Sequence, residues 1–201
     1  MERIASFQIN HLTLFPGLYV SRRDEKGGVV VTTFDLRITA PNREPVIDVP
    51  ALHTIEHLGA TFLRNHEKKN DVVYFGPMGC RTGCYLLLFG NLTAEEAFPL
   101  VDEMCSFIVN FEGDIPGAKP EECGNYSEQN LNMAKFYIAR YQQELRQNKR
   151  FVYPDQNKCL HFLQLSCIIY FCNDERGACD AKNAGYKAHC TKPQSTPRLL
   201  H

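Results

Sequence analysis

Apolar positions along the chain follow two periods, and where the period changes marks the elements. Residues 27–39, GGVVVTTFDLRIT, are rich in β-branched side chains and alternate. In a strand this places Phe34, Leu36 and Ile38 on one face and Thr33, Asp35 and Arg37 on the other. Residues 71–76 and 82–90 read as two further strands, joined by the glycine-punctuated turn GPMGCRTG. Helical spacing takes over in three places. A helix from about Pro50 to His66 follows the breaks at Pro41 and Pro45, with Asp48 or Val49 near its N-cap. A second follows the T-x-x-E capping box of Thr93 and Glu96, with Pro99 as a possible kink. A third, capped by Ser127, carries Leu131, Ala134, Ile138, Tyr141 and Leu145 on one stripe. The pattern predicts an α+β fold, an antiparallel sheet packed against a few helices.

Composition adds boundaries to this picture. The 201 residues suit one domain with a real core plus a short appended segment. From about residue 151 the character changes. Five of the nine cysteines lie between Cys159 and Cys190, and the last residues read as disordered. The expected organisation is a domain over 1–150 and a Cys-rich extension over 151–201, disordered or foreign to that domain. The extension has no C-x-x-C pair, so a structural zinc is not expected there. Its CLHFLQLSCIIYFC run is too short to span a bilayer.

A net charge of -1 gives no reason to expect a polyanionic partner, so nucleic acid is not predicted. The N-terminal MERIASFQINHL lacks the features of a signal peptide, no apolar run reaches membrane length, and the expected location is the cytoplasm. Nine cysteines in that setting are expected as free thiols, with Cys84 and Cys105 as packing residues.

Candidate chemistry centres on residues 53–66, HTIEHLGATFLRNH. On a helix His53 and His57 stand one turn apart on one face, with Glu56 beside them. This H-x-x-E-H order reverses the H-E-x-x-H metallopeptidase motif but supplies the same parts, two imidazole ligands and a carboxylate that can move protons. A catalytic divalent site needs a third ligand. Cys123, in PEECGN ahead of the last helix, suits that role, and the resulting donor set would hold Zn(II) or Fe(II). The bland alternative is a polar helix whose histidines bind nothing.

Seven segments in order resemble the signatures of the S-ribosylhomocysteine lyase (LuxS) family: SFQINH (6–11), FDLR (34–37), APN (40–42), HTIEHL (53–58), RNH (64–66), PMGCRTG (77–83) and ECGN (122–125). The likeness spans roughly residues 4–148. It implies a homodimer with active sites at the interface, cleaving S-ribosyl-L-homocysteine to L-homocysteine and 4,5-dihydroxy-2,3-pentanedione, the autoinducer-2 precursor. It implies His53, His57 and Cys123 as metal ligands, with Fe(II) the expected metal and Zn(II) or Co(II) the alternatives. It further implies Cys80 and Glu56 as proton-transfer residues, and Ser6, His11 and Arg37 as sugar contacts. Arg64 would reach from the partner subunit toward the homocysteine end. Two positions depart from the family pattern: Thr33 stands where many members have lysine, and Tyr74 where aspartate is common.

Two rivals follow from the same residues. One is an inverted-motif metallopeptidase with a downstream glutamate such as Glu128 as third ligand. The other is a non-catalytic metal-binding or regulatory protein that retains the ligands without turnover; separately, the bland reading of Arg37 is a salt-bridge partner for Asp35.

Overall fold

The computed structural model describes residues 9–154. Ser6 and most of the Cys-rich extension lie outside the described residues.

A two-residue hairpin opens the sheet. Gly27 and Gly28 both take positive φ, 61° and 79°, between paired Lys26 and Val29. That left-handed pair matches the twist of the flanking strands, and glycine adopts it without a Cβ penalty. The hairpin therefore joins β1 (Gly17–Lys26) to β2 (Val29–Arg37). The expected strand thus begins at Val29, the glycines being its turn, and β1 is a strand the apolar pattern did not predict. Its second half, RRDEK, is exposed and charged, so alternation there carries no core signal.

The remaining strands are β3 (Val72–Pro77) and β4 (Gly83–Phe89). The four pair antiparallel in the order β1-β2-β4-β3, so that β2 and β4 are central. Three helices supply the second layer, α1 (Val49–Asn65), α2 (Ala94–Val109) and α3 (Leu131–Asn148). This is the α+β arrangement expected from the periodicity.

Between the layers, Phe34, Leu36, Leu86 and Leu88 of the sheet meet Ile55, Leu58, Leu63, Val101, Met104, Ile108, Ile138 and Leu145 of the helices, all buried. Each such side chain contributes about 1.5–3 kcal/mol through burial. Cys84 and Cys105 are buried in the same core as free thiols, and burial raises both far above the ordinary thiol range. Both are packing residues, as expected.

Caps hold the helices where the sequence placed them, with one correction. Asp48 accepts the Ala51 N–H at the start of α1, and Thr93 and Glu96 form the complete capping box of α2, which continues through Pro99. For α3 the cap is Asn130, whose side chain accepts from the Met133 N–H, and not Ser127. Both residue types cap well, and only the path of the preceding loop decides between them.

After α3 the chain reverses at Lys149, which takes a left-handed conformation. The carbonyl of Arg150 then accepts the N–H of Leu18 at 3.0 Å, so the chain passes against the start of β1. Phe151 packs on the core and Tyr153 is buried on Tyr19. Among the described residues no helix is long and apolar enough to cross a membrane.

Candidate metal centre and thiol pocket

Helical spacing puts His53 and His57 on one face of α1, where both are half-buried. The loop between α2 and α3 fixes the rings. The Nδ1 of His57 lies 2.7 Å from the carbonyl of Pro116, and the Nδ1 of His53 lies 3.0 Å from that of Glu128. Each carbonyl requires a proton on the nitrogen it faces, which leaves both Nε2 atoms as lone pairs. Those lone pairs point at one another across 3.0 Å, and the Sγ of Cys123 stands 3.4 Å from the His53 Nε2.

Two imidazole nitrogens from the helix and one sulfur from the loop thus converge on a common point, the arrangement that ligates a cation. The three ligand atoms all fall within 4.8 Å of one another. In a tetrahedral site, bond lengths of about 2.0–2.3 Å separate ligand atoms by roughly 3.3–3.6 Å. The donor set and its spacing therefore fit a divalent transition metal, and a ring N–H given to a main-chain carbonyl is the usual support for such a ligand. Cys123 itself is set by a turn in which its N–H bonds to Lys119 O at 2.9 Å, and Asn125 N–H points at its sulfur at 3.4 Å.

Loop and helix are latched together by Thr54, which is fully buried on α1. Its hydroxyl donates to Gln129 Oε1 at 2.8 Å and accepts the Asn130 N–H at 2.9 Å. Gly117 adds a steric requirement. Its φ of 76° is left-handed, and a Cβ there would stand 3.1 Å from the His57 Nδ1. Neither Pro116 nor Gly117 is visible as a site residue in sequence, because one acts through its carbonyl and the other through a missing atom.

Glu128 does not join the ligand set. Its main-chain carbonyl supports His53 while its carboxylate pairs with the Asn125 side chain. The metallopeptidase rival thus loses its third ligand to Cys123.

A second constellation lies on the outer face of the sheet. Cys80 sits exposed in the turn joining β3 to β4, closed by hydrogen bonds from Met78 N–H to Gly83 O and from Arg81 N–H to Met78 O, both 2.9 Å. Arg81 takes a left-handed φ of 58°, an uncommon conformation for a residue with a side chain. Gly83 lets the turn close on β2, since a Cβ there would collide with the Leu36 carbonyl. This brings the Arg37 Nη1 to 2.6 Å from Thr82 Oγ1 and 3.8 Å from the Cys80 Sγ. Partial burial works against the Cys80 thiolate, but hydrogen bonds from the Thr82 hydroxyl and backbone and the Arg37 charge outweigh it. The thiol lies below its ordinary range.

Arg37 is itself anchored by Asp35 at 2.5 Å in a buried pair. Burial works against the guanidinium charge, and the adjoining carboxylate more than offsets it. Burial likewise pushes the Asp35 carboxyl up, against the opposing pull of Arg37 and a hydrogen bond from Tyr153. Arg37 Nε and Asp35 Oδ1 have no hydrogen-bond partner among the described residues.

These groups border a cavity of about 270 Å³ lined by His11, Arg37, Cys80, Tyr85 and Tyr153, among others. His11 is oriented by its Nδ1 facing the Ile9 carbonyl at 2.8 Å. The lining contains none of His53, Glu56, His57 and Cys123. Glu56 stands half-buried on α1. Arg64, exposed at the end of α1, donates to the carbonyls of Val72 and Val73 at 3.0 and 3.2 Å, tying the helix to β3. Thr33 is buried with its hydroxyl unpartnered among the described residues, and Tyr74 is exposed.

A family model described as S-ribosylhomocysteinase (LuxS) matches residues 4–152. The chain belongs to this family. A protein of Finegoldia magna named S-ribosylhomocysteine lyase is 56% identical over 157 residues, 77% of this chain and 100% of that protein. Two others bearing the same name come from Clostridium acetobutylicum, 57% identical over 70% of this chain and 90% of its own length, and Porphyromonas gingivalis, 53% identical over 72% and 92%. The family membership read from the seven segments is thereby established. The clustered His53, His57 and Cys123 give the family assignment a chemical counterpart in this chain.

Proposed function

We propose that the chain is a metal-dependent S-ribosylhomocysteine lyase, releasing L-homocysteine and 4,5-dihydroxy-2,3-pentanedione. The observation that carries this reading is the convergence of the His53, His57 and Cys123 donors in a family chain that also holds an acidified thiol beside a buried arginine. Cleaving a thioether without a redox cofactor becomes feasible once a sugar carbonyl has migrated to a position where sulfur is β to it. Elimination then expels the thiolate, and every step is a proton transfer.

A divalent ion bound by His53, His57 and Cys123, in our reading Fe(II), supplies Lewis-acid polarisation of the carbonyl oxygens. Cys80, as a thiolate, removes and returns protons between adjacent sugar carbons. Glu56 carries hydroxyl protons and serves the final abstraction. Arg37, His11 and Ser6 orient the sugar. The cavity that Arg37, Cys80 and His11 line offers polar groups to a ligand rich in hydroxyls.

In this reading the enzyme is a cytoplasmic homodimer with its active sites at the interface. The separation of the thiol pocket from the metal ligands within one protomer supports it, because a two-fold axis can complete each half with the partner's other half. Arg64 then serves the neighbouring site at the homocysteine end. Residues 1–150 form the lyase domain and 151–201 an extension whose first residues, Phe151 and Tyr153, pack onto it.

The deciding experiment incubates purified, metal-loaded protein with S-ribosylhomocysteine and titrates free thiol. Stoichiometric thiol release is expected. Its absence overturns the reading, and cleavage of a peptide substrate in its place would restore the hydrolytic one.

A further inference from the structure

Tyr153 stands one residue past the stretch matched to the family, yet it is buried against the thiol pocket and is 4% exposed. Its ring stacks on Tyr19 at 4.6 Å between centroids, nearly parallel at 16°. Its phenol donates to Asp35 Oδ2 at 3.0 Å, the oxygen that also pairs with Arg37. Cross-strand register explains why the ring lands there. Tyr19, Asp35 and Tyr85 are direct neighbours across β1, β2 and β4, and the turn after α3 lays the chain over the first of these strands.

We propose that Tyr153 is a positioning residue for Cys80, acting through Asp35 on Arg37. This rests on the reading of Cys80 as the thiolate proton carrier. The phenol O–H takes up part of the Asp35 charge, so that Arg37 is shared between Asp35 and the Cys80 sulfur and is not drawn wholly to the carboxylate. A hydrogen bond to an ionised oxygen is among the stronger ones, and in a buried site its loss is not made good by water. Arg37 from β2 and Thr82 from the turn act on Cys80 directly, and Asp35 from β2, Tyr85 from β4 and His11 from the N-terminal segment line the same cavity. Of these, Asp35 is the one Tyr153 touches.

The test follows alkylation of Cys80 by iodoacetamide in the full-length protein across a pH series, reading the Cys80 peptide by mass spectrometry so that other thiols do not interfere. Tyr153→Phe keeps the stacked ring and removes only the donor. It should slow labelling at neutral pH by about threefold and move the midpoint to higher pH. Asp35→Asn removes the opposing charge and should move the midpoint the other way. A mere packing defect would not give opposite signs. A wild-type profile in either variant, with a cooperative melting transition showing it folded, overturns the proposal. Labelling needs no substrate, so failure here is distinct from failure of the wild-type protein to release thiol from S-ribosylhomocysteine.

Discussion

His53 and His57 face each other through unprotonated Nε2 atoms 3.0 Å apart, because each ring gives its Nδ1 proton to a main-chain carbonyl of the α2–α3 loop. A shared cation fits between them, and Cys123 supplies the third donor. Cys123→Ala should therefore purify without metal and show no rise in melting temperature on adding Fe(II) or Zn(II). Elemental analysis checks the first point and a thermal scan with titrated metal the second. Full metal content in the variant would remove Cys123 from the ligand set.

Gly117 tests the support behind the ligand. Gly117→Ala strains a left-handed backbone and presses a methyl toward the His57 ring. Metal affinity should weaken roughly 10- to 100-fold, the scale for loss of a ligand's outer partner. A competition titration against a chromophoric chelator reads it. Wild-type affinity would mean the loop yields without moving the Pro116 carbonyl.

Cys80 and Glu56 should separate binding from turnover. Cys80→Ala and Glu56→Gln are expected to keep metal while thiol release falls roughly 100- to 10,000-fold, the range for a positioned proton-transfer group. Near-normal release by either variant refutes its assignment.

Cys80 also sets a pH dependence. Its thiol lies below the ordinary range, with Thr82 and Arg37 opposing the effect of burial. In its proposed role Cys80 acts as the thiolate, so the rate should rise with pH and level off below the pH at which an ordinary cysteine ionises. Arg37→Met takes away the charge and should carry that rising limb to higher pH. An unshifted limb in the variant would assign the acidity to Thr82 alone.

Much of this was legible in the chain, and the gaps have physical causes. Periodicity located α1, α2, α3 and three strands because each buries one face. β1 was not legible, since half of it is charged edge strand, and the start of α3 shifted from Ser127 to Asn130 because a loop path decides between two good caps. At the site, the converging donors His53, His57 and Cys123 and the neighbours Arg37 and Cys80 were nameable from motifs. Pro116 and Gly117 were not, as they act through a carbonyl and an absent Cβ. The placement of Tyr153 was not either, for it depends on a cross-strand register and a left-handed reversal at Lys149.

Those two main-chain carbonyls have one more implication. A side-chain partner can be deleted by a single substitution, whereas the oxygens of Pro116 and Glu128 remain whatever side chains stand there. The loop can then drift in sequence at most positions without loosening either imidazole, so long as its course is kept. Insertions or deletions between residues 110 and 130, more than point changes, are the events this metal centre could not survive.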